Sequence, residues 1–163
     1  MKKTRARKSR EKKAALIVYD FDGVMTDNRV LVFSGGQEAV FCNRADGWAV
    51  ARLKTQGYRQ LILSTETNKV VRARARKLGL SVLNGVVDKR TVLLRFCKKE
   101  GIDLKDVVYI GNDLNDLQVM KDVGHPLCPR DADPAIKRIA ARIIPVDGGH
   151  GVIRKFYHWV MGT

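Results

Sequence analysis

The apolar positions of the chain fall into two alternating patterns. Short, mostly apolar runs, typical of buried strands, occupy residues 14–19, 60–63, 80–83 and 107–110. Longer segments with helical spacing predict helices over residues 46–57, 68–78, 89–100, 114–122 and 134–141. Strands and helices that alternate at this spacing predict a Rossmann-like α/β fold, with a mostly parallel sheet and helices on both faces.

A different pattern lies between the first strand and the first helix. Two short apolar runs, residues 30–33 and 39–42, flank the polar segment Ser34–Gln37, which contains two glycines. Glycine supplies the backbone angles that tight turns need, so this segment predicts a small β-hairpin after the first strand.

Length and composition indicate one domain without a membrane span. At 163 residues the chain is long enough for one core and short for two. No apolar run approaches the ~20 residues that cross a bilayer. The cysteines, Cys42, Cys97 and Cys128, are odd in number, widely spaced and free of any CxxC pair. We interpret them as core thiols in a reducing compartment, and we expect a cytoplasmic location.

Positive charge is concentrated at the amino terminus. Residues 1–13 hold eight Lys or Arg and one Glu, which is +7 of the formal charge of +14. We therefore divide the chain into a basic, disordered arm, residues 1–13, and a domain, residues 14–163. Such an arm could bind nucleic acid in a salt-dependent way that its removal would abolish. Because no aromatic stacking platform or recognition motif accompanies it, nucleic acid is not the partner we expect.

Polar residues with chemical potential follow the predicted strands. Asp20 and Asp22, with Gly23 behind them, come directly after the first strand. Two carboxylates so close to the end of a buried strand repel each other unless a cation or a proton offsets their charge. Gly23 leaves room for backbone N–H groups to approach an anion. Since ligands of open α/β sheets gather at the carboxyl ends of strands, we expect a site here.

Three further positions extend the pattern. Ser64 ends another strand, where its hydroxyl could donate to a phosphate oxygen, although helix capping by Ser64 or Thr65 is the ordinary alternative. Lys89 begins a helix, where a cation is unfavourable unless it balances an anion. Gly111–Asp116 clusters oxygen-bearing side chains after a strand, as suits Mg²⁺.

In this order, the four segments resemble the motifs of the haloacid dehalogenase-like phosphatase superfamily, from Ala14 to the carboxyl terminus. The resemblance implies that Asp20 attacks phosphorus and forms an aspartyl-phosphate. It implies that Asp22 protonates the leaving alcohol and then activates water, while Ser64 and Lys89 hold the phosphoryl oxygens. Mg²⁺ would be bound by Asp20, by the backbone carbonyl of Asp22 and by the acidic motif.

The spacing of the motifs narrows the resemblance. About twenty residues separate Asp22 from the first helix and about twenty-five separate Ser64 from Lys89, which leaves no room for a cap domain. This resembles the capless subgroup that contains the 8-phosphatase of 3-deoxy-manno-octulosonate, the 9-phosphatases of nine-carbon sialic-type acids, and a domain of some acylneuraminate cytidylyltransferases. The subgroup implies a homotetramer in which the hairpin and the tail of neighbours complete the site. Gly148–Gly151, followed by Arg154, resembles that tail.

The resemblance also implies a sugar-acid phosphate as the small-molecule substrate. The eight-carbon enzymes typically place Gly-Arg after the hydroxyl-bearing strand, whereas Thr65-Glu66 stands here. The nine-carbon phosphatases place Glu at this position, with Arg and Lys that match Arg74 and Lys77. Glu66 would accept hydrogen bonds from sugar hydroxyls, and Arg74 would grip a carboxylate. A nonulosonate 9-phosphate, as in sialic acid biosynthesis, is therefore the expected substrate, and the eight-carbon ester is the alternative.

One departure from the family pattern concerns the metal. The position after Gly111, which usually supplies an aspartate, is Asn112 here, and an amide oxygen can coordinate but carries no charge. Asp113 could bind the metal instead, or Asp116 could support the ligands without binding the metal itself, and both alternatives stay open. Asn112 also leaves room for a function of another class, a non-catalytic oligomerisation domain associated with a cytidylyltransferase.

Overall fold

The structure is a computed structural model that describes residues 14–163, so the predicted basic arm lies outside the described residues. In chain order the strands are β1 (Leu16–Tyr19), β2 (Leu31–Val32), β3 (Glu38–Ala39), β4 (Gln60–Leu63), β5 (Ser81–Leu83), β6 (Val107–Ile110), β7 (His125–Pro129) and β8 (Arg142–Ile144). The helices are α1 (Arg44–Thr55), α2 (Lys69–Leu78), α3 (Lys89–Glu100), α4 (Leu117–Asp122), α5 (Pro134–Ile139) and α6 (Val152–Met161).

Six of the strands form one parallel sheet, in the order β5-β4-β1-β6-β7-β8. Strand β1 lies between β4 and β6, and all four of its residues are buried because helices cover both faces of the sheet. The predicted Rossmann-like α/β fold is confirmed. The strand order also brings the carboxyl ends of β4, β1 and β6 side by side.

The core has two layers, one on each face of the sheet. Ile17 and Tyr19 of β1 pack in one layer with apolar residues of α1, α2 and α6. Leu16 and Val18 point to the other layer, which contains residues of α3, α4 and α5. Successive residues of a strand face opposite sides, so this single buried strand contributes side chains to both layers.

The predicted hairpin is present, and between β1 and α1 the described chain adds only one further bridge, from Thr26 to Cys42. Strands β2 and β3 pair in antiparallel fashion, with Leu31 opposite Ala39. This confirms that the domain lacks a cap between these elements. None of the helices within residues 14–163 is long and apolar enough to cross a membrane.

Helix α1 begins earlier than the sequence predicts. Asn43, rather than Asp46, is its N-cap, and the Asn43 side-chain oxygen accepts a hydrogen bond from the N–H of Ala45 at 2.8 Å. Asp46 lies in the first turn and is only 2% exposed. Trp48 and Ala51, two apolar residues of α1, are exposed. Helix α1 therefore buries a carboxylate in its first turn and exposes an indole in its second.

Candidate active site

Three neighbouring strand ends bring the predicted site residues together. Asp20 directly follows β1, Ser64 follows β4, and Asn112 follows β6 after one glycine. Because β1 pairs with both β4 and β6 in parallel, these side chains lie at the same edge of the sheet. Asp20, Ser64 and Asn112 are 4%, 1% and 7% exposed, so the site is a polar cluster in a buried setting.

A buried ion-pair network surrounds Asp20. The Nζ of Lys89 lies 2.8 Å from Oδ1 of Asp20 and 2.7 Å from Oδ1 of Asp116. Burial lowers the pKa of Lys89, but the two carboxylates raise it by more, so the ammonium remains charged. Burial also raises the pKa of Asp20, as does Asp116, while Lys89 and the N–H of Phe21 oppose this. Lys89 is thus the fixed positive charge of the site.

Asp116 holds this network in place. Its Oδ1 accepts hydrogen bonds from Lys89 and from the hydroxyl of Tyr109, each at 2.7 Å. Its Oδ2 accepts from the backbone N–H of Asn112 at 2.9 Å. A side chain at Gly111 would come within 2.6 Å of the same carboxylate, which explains the glycine. Asp116 is therefore occupied by protein donors and positions Lys89.

The expectation that Asp113 could replace Asn112 does not match the geometry. The carboxylate of Asp113 caps the following 3-10 turn and accepts a hydrogen bond from the N–H of Leu114 at 2.7 Å. Asp113 is also exposed, whereas Asn112 is buried. The amide of Asn112 is therefore the side chain of this motif that lies against Asp20.

The Asn112 amide faces two acceptors. With its nitrogen turned toward them, it donates to Oδ2 of Asp20 at 3.1 Å and to the backbone oxygen of Asp22 at 2.8 Å. With its oxygen turned toward them, the oxygens of Asn112, Asp20 and Asp22 converge, and a bound cation would stabilise this arrangement. Octahedral Mg²⁺ with ligands at roughly 2.0–2.1 Å sets neighbouring oxygens about 2.9 Å apart, close to these spacings. The three donors therefore fit a small hard cation.

The donor set is poor in charge. Within residues 14–163, no group of three His, Cys, Asp or Glu side chains is arranged to hold a metal ion. A cation at this position would rely on one carboxylate, one amide and one backbone carbonyl from Asp20, Asn112 and Asp22. The affinity of such sites falls as charged ligands are lost, so we expect weak binding.

Gly23 provides the space for Asn112. Its φ is +74°, and a Cβ at this position would come within 1.9 Å of the Asn112 side chain. The N–H of Gly23 points to Oγ1 of Thr26 at 3.2 Å. The structure thus explains the glycine at position 23 by lack of space for a side chain, whereas the sequence suggested that Gly23 helps to bind an anion.

Asp22 has the surroundings of a proton donor. Burial raises its pKa, and the nearby carboxylates of Glu66 and Glu38 add to this, whereas a hydrogen bond from Thr26 lowers it. The Thr26 hydroxyl lies 3.4 Å from Oδ1 of Asp22. A carboxyl group with a raised pKa retains its proton to higher pH, as a general acid requires.

Ser64 and the two residues after it form the opposite wall. The Oγ of Ser64 accepts a hydrogen bond from the N–H of Glu66 at 3.0 Å, so its hydroxyl hydrogen is directed elsewhere. Thr65 is exposed, with Oγ1 3.4 Å from the amide of Asn115. Ser64 therefore orders this loop and still has a proton to donate.

A cleft opens beside Asp22. It has a volume of about 290 Å³ and lies between the hairpin and the start of α2. Glu66, one of the predicted substrate-binding residues, lines it. The described residues that line it are Asp22, Asn28, Arg29, Val30, Glu38, Val40, Glu66, Asn68 and Val70.

Arg74 and Lys77 do not line this cleft, contrary to the expectation for substrate-binding residues. The guanidinium of Arg74 donates to the backbone oxygen of Asn43 at 2.9 Å, and its Nε is buried. It ties α2 to the start of α1. Lys77 is exposed on α2. Within a single chain, Arg74 lies one helical turn beyond Val70, which lines the cleft, and the start of α1 holds its guanidinium.

Comparison with known proteins agrees with this geometry. Residues 50–156 match the family described as haloacid dehalogenase-like hydrolase. The chain belongs to that family. A family hydrolase from Streptomyces avermitilis MA-4680 has a similar solved structure, with a TM-score of 0.89 and 42% identity over 93% of this chain and 88% of that one.

Other family members have assigned activities. The 3-deoxy-D-manno-octulosonate 8-phosphate phosphatase of Escherichia coli K12 is 29% identical over 141 residues, which are 86% of this chain and 75% of that protein. The enzyme of the same name from Moraxella catarrhalis was solved with magnesium, phosphate and its sugar acid. It has a TM-score of 0.87 and 28% identity, over 91% of this chain and 86% of that one.

The glycine-rich segment near the carboxyl terminus contacts its own chain. A Cβ on Gly148 would lie 2.2 Å from the backbone oxygen of Gly23, and the N–H of Gly149 donates to the backbone oxygen of Val24 at 3.1 Å. The guanidinium of Arg154 lies 3.9 Å from the ring centroid of Trp48. This segment therefore supports the loop after Asp20 within one subunit, whereas the resemblance had implied contact with a neighbour.

Sequence reasoning missed several residues of the site, including Glu38 and Asn68 of the cleft. Tyr109 and Thr26 donate to Asp116 and Asp22, and Arg29 lines the cleft. Tyr109 sits within an apolar strand and carried no separate signal. Thr26 and Arg29 follow the Asp20 motif closely, so their position was a signal that could have been used.

Proposed function

We propose that this family member is a Mg²⁺-dependent phosphatase that hydrolyses the phosphate monoester of a sugar acid through an aspartyl-phosphate on Asp20. The observation that carries the proposal is the pairing of Asp20 with Lys89 at 2.8 Å, beside three convergent oxygens and next to Asp22. Phosphoryl transfer needs positioning and neutralisation of spread negative charge, and this arrangement supplies both.

The two aspartates carry the bond changes. An oxygen of Asp20 attacks phosphorus, the bond from phosphorus to the ester oxygen breaks, and Asp22 gives its proton to that oxygen. Water then attacks phosphorus and gives a proton to Asp22, and the bond to Asp20 breaks, which releases inorganic phosphate. Both aspartates return to their starting states.

The remaining residues neutralise and orient the phosphoryl group. Lys89 contributes its positive charge, and Ser64 donates its free hydroxyl hydrogen to a phosphoryl oxygen. Mg²⁺ would supply further positive charge at a position held by Asp20, the Asp22 carbonyl and Asn112. Because Asp116 fixes Lys89, it acts as a positioning residue.

Two sugar acids are candidates for the substrate. The position of Glu66 on the cleft favours a nonulosonate 9-phosphate, because Glu66 could accept hydrogen bonds from the additional hydroxyls of that sugar. Arg74 and Lys77 do not line the cleft, so among the described residues the case for the nine-carbon ester depends on Glu66 alone. The relatives with assigned activity act on the eight-carbon 3-deoxy-D-manno-octulosonate 8-phosphate, which favours that ester.

We further propose that the enzyme assembles as a homotetramer in the cytoplasm. The exposed apolar side chains of the hairpin favour self-association. All three cysteines are free thiols, which suits a reducing compartment.

The test is phosphate release from both sugar-acid phosphates, with MgCl₂ and with a chelator, by the natural sequence and by Asp20→Asn. We expect Mg²⁺-dependent turnover that Asp20→Asn reduces by at least about 10³-fold. Asp122→Asn, which removes a carboxylate from the far side of α4, is the control and should retain activity. No turnover of any ester by a folded protein would instead support the non-catalytic oligomerisation domain, and the preferred ester would decide between the sugars.

A further inference from the structure

The cleft beside Asp22 is where the alcohol part of a substrate must lie, because Asp22 reaches the ester oxygen. One wall consists of the hairpin flanks, including Arg29, Val30 and Glu38. The other consists of Glu66 and the first residues around α2. The part of a substrate that distinguishes one phosphate ester from another would therefore contact the residues of these two walls.

The charges of the cleft are mostly negative. Asp22, Glu38 and Glu66 contribute carboxylates, and Asn68 links two of them: its N–H donates to Glu66 Oε1 at 2.7 Å and its amide to Glu38 Oε2 at 2.8 Å. Among the described residues that line the cleft, Arg29 is the only cation. A substrate carboxylate would be repelled from the glutamate wall and attracted to Arg29.

Arg29 is held ready for an anion. Its Nε and Nη2 donate to Oδ2 of Asp27 at 2.9 and 2.7 Å, and its backbone N–H donates to Oδ1 of Asp27 at 3.2 Å. A guanidinium has five N–H groups, so three remain for another acceptor. The side chain is 81% exposed, which leaves these groups accessible.

Local hydrogen bonds order the loop that carries Arg29. Asn28 adopts a left-handed backbone with φ of 63°, and its N–H points to Oγ1 of Thr26 at 3.2 Å. The same hydroxyl contacts Asp22. A single threonine thus couples the position of Arg29 to that of the general acid.

We propose that Arg29 binds the carboxylate of the substrate and selects phosphate esters of sugar acids over neutral phosphate esters. This inference rests on the proposed function. Within one chain, Arg74, to which the sequence assigned this role, instead donates to the backbone oxygen of Asn43. Asp27 orients Arg29, and Glu38 and Glu66 are left to accept hydrogen bonds from sugar hydroxyls.

The test compares a sugar-acid phosphate with p-nitrophenyl phosphate, which has no carboxylate. For Arg29→Met we expect kcat/KM to fall about 10- to 100-fold on the sugar-acid phosphate, as for loss of a hydrogen bond between charged groups. Turnover of p-nitrophenyl phosphate should change less than about twofold. Arg29→Lys should recover part of the loss, because it keeps the charge without the planar fork.

Arg90→Met is the matched control. Arg90 also pairs with an aspartate, Asp122, at 2.7 Å and is 51% exposed, but it lies on α3 outside the cleft. It should leave both substrates unaffected. An equal fall on both substrates for Arg29→Met, or no fall on either, would overturn the proposal.

A second measurement separates this proposal from the proposed function. Titration calorimetry measures binding of the free eight-carbon and nine-carbon sugar acids and of their methyl esters. Tighter binding of the acid than of its ester, lost in Arg29→Met, supports Arg29 even if no phosphate is released. Equal affinity of acid and ester would overturn it even if the phosphatase activity is established.

Discussion

At the scale of single residues, Asn112 sets the charge at the candidate cation position. Its amide can either donate to Asp20 and the Asp22 carbonyl or turn its oxygen toward them. The first orientation satisfies the site without a cation, and the second suits a bound one. An aspartate at this position would lose the first option, because its carboxylate would repel Asp20.

Asn112→Asp should therefore lower the stability of the metal-free protein and strengthen its binding of Mg²⁺. With a chelator we expect the Tm to fall by about 2–4 °C or more, because two carboxylates then face each other. With Mg²⁺ the added charge should lower the half-saturating concentration by roughly tenfold. Thermal melts across a Mg²⁺ titration measure both effects.

Asn115→Asp is the control for this experiment. It makes the same chemical change in the same motif, but Asn115 is exposed and contacts Thr65 rather than Asp20. It should change neither the Tm in chelator nor the Mg²⁺ response. If Asn112→Asp behaves like this control, Asn112 does not face the cation.

At the scale of elements, helices α1 and α6 are joined through a buried carboxylate. Oδ1 of Asp46 accepts a hydrogen bond from the N–H of Arg154 at 2.8 Å, while its Oδ2 is buried without a partner among the described residues. Burial raises the pKa of Asp46 to about 6, and the N–H groups of Arg154 and Ile153 moderate the shift. Burial of Asp46 therefore favours its protonated form.

Asp46→Asn should stabilise the protein in a pH-dependent way. Because the folded pKa is raised, Asp46 favours folding below its unfolded pKa of 3.8, and this contribution is lost as pH rises through about 6. We expect the free energy of unfolding of the variant to exceed that of the natural sequence by about 2–3 kcal/mol above pH 7, and by little near pH 4.

Urea unfolding at several pH values between 4 and 8 measures this difference. Asp122→Asn, which removes a partly exposed carboxylate on the other face, should show no such rise. A difference for Asp46→Asn that is constant with pH would mean that Asp46 ionises equally in the folded and unfolded chain.

The elements differ in how far their sequences determine them. Helix α3 has its predicted bounds because local signals mark both ends, with Asp88 as N-cap and Gly101 in a left-handed conformation behind it. Strand β7 was not predicted, since it contains Pro126 and Pro129 and only its place beside β6 makes it a strand. Strand β8 and helix α6 were also missed, and both depend on packing against distant elements.

The same distinction applies to the site. Strand-end polarity predicted Asp20, Ser64 and Asn112, because it is a local signal. The contact of Lys89 with Asp116 joins residues 27 positions apart and follows from the order of the strands. The sequence cannot tell Arg74, which ties α2 to α1, from an arginine that binds substrate, because both fit the same helical spacing.

At the scale of the whole molecule, the hairpin exposes apolar surface. Five large apolar side chains there are half-exposed or more, with Phe41 at 72% and Val32 at 59%. Exposed apolar patches of this kind mark contact sites between proteins. Since the hairpin also forms one wall of the cleft, assembly and substrate binding would share this element.

Replacing Val32 and Phe41 by serine should therefore dissociate the proposed tetramer. Light scattering after size-exclusion chromatography should give about four times 18.3 kDa for the natural sequence and a smaller mass for the double variant. Val87→Ser removes a valine that is 96% exposed outside the hairpin, and it should leave the mass unchanged. A natural chain that elutes as a monomer, or a double variant that stays tetrameric, would contradict assembly through the hairpin. Dissociation should also raise the KM for the sugar-acid phosphate while the monomer stays folded, because the wall that carries Arg29 would then lose its support.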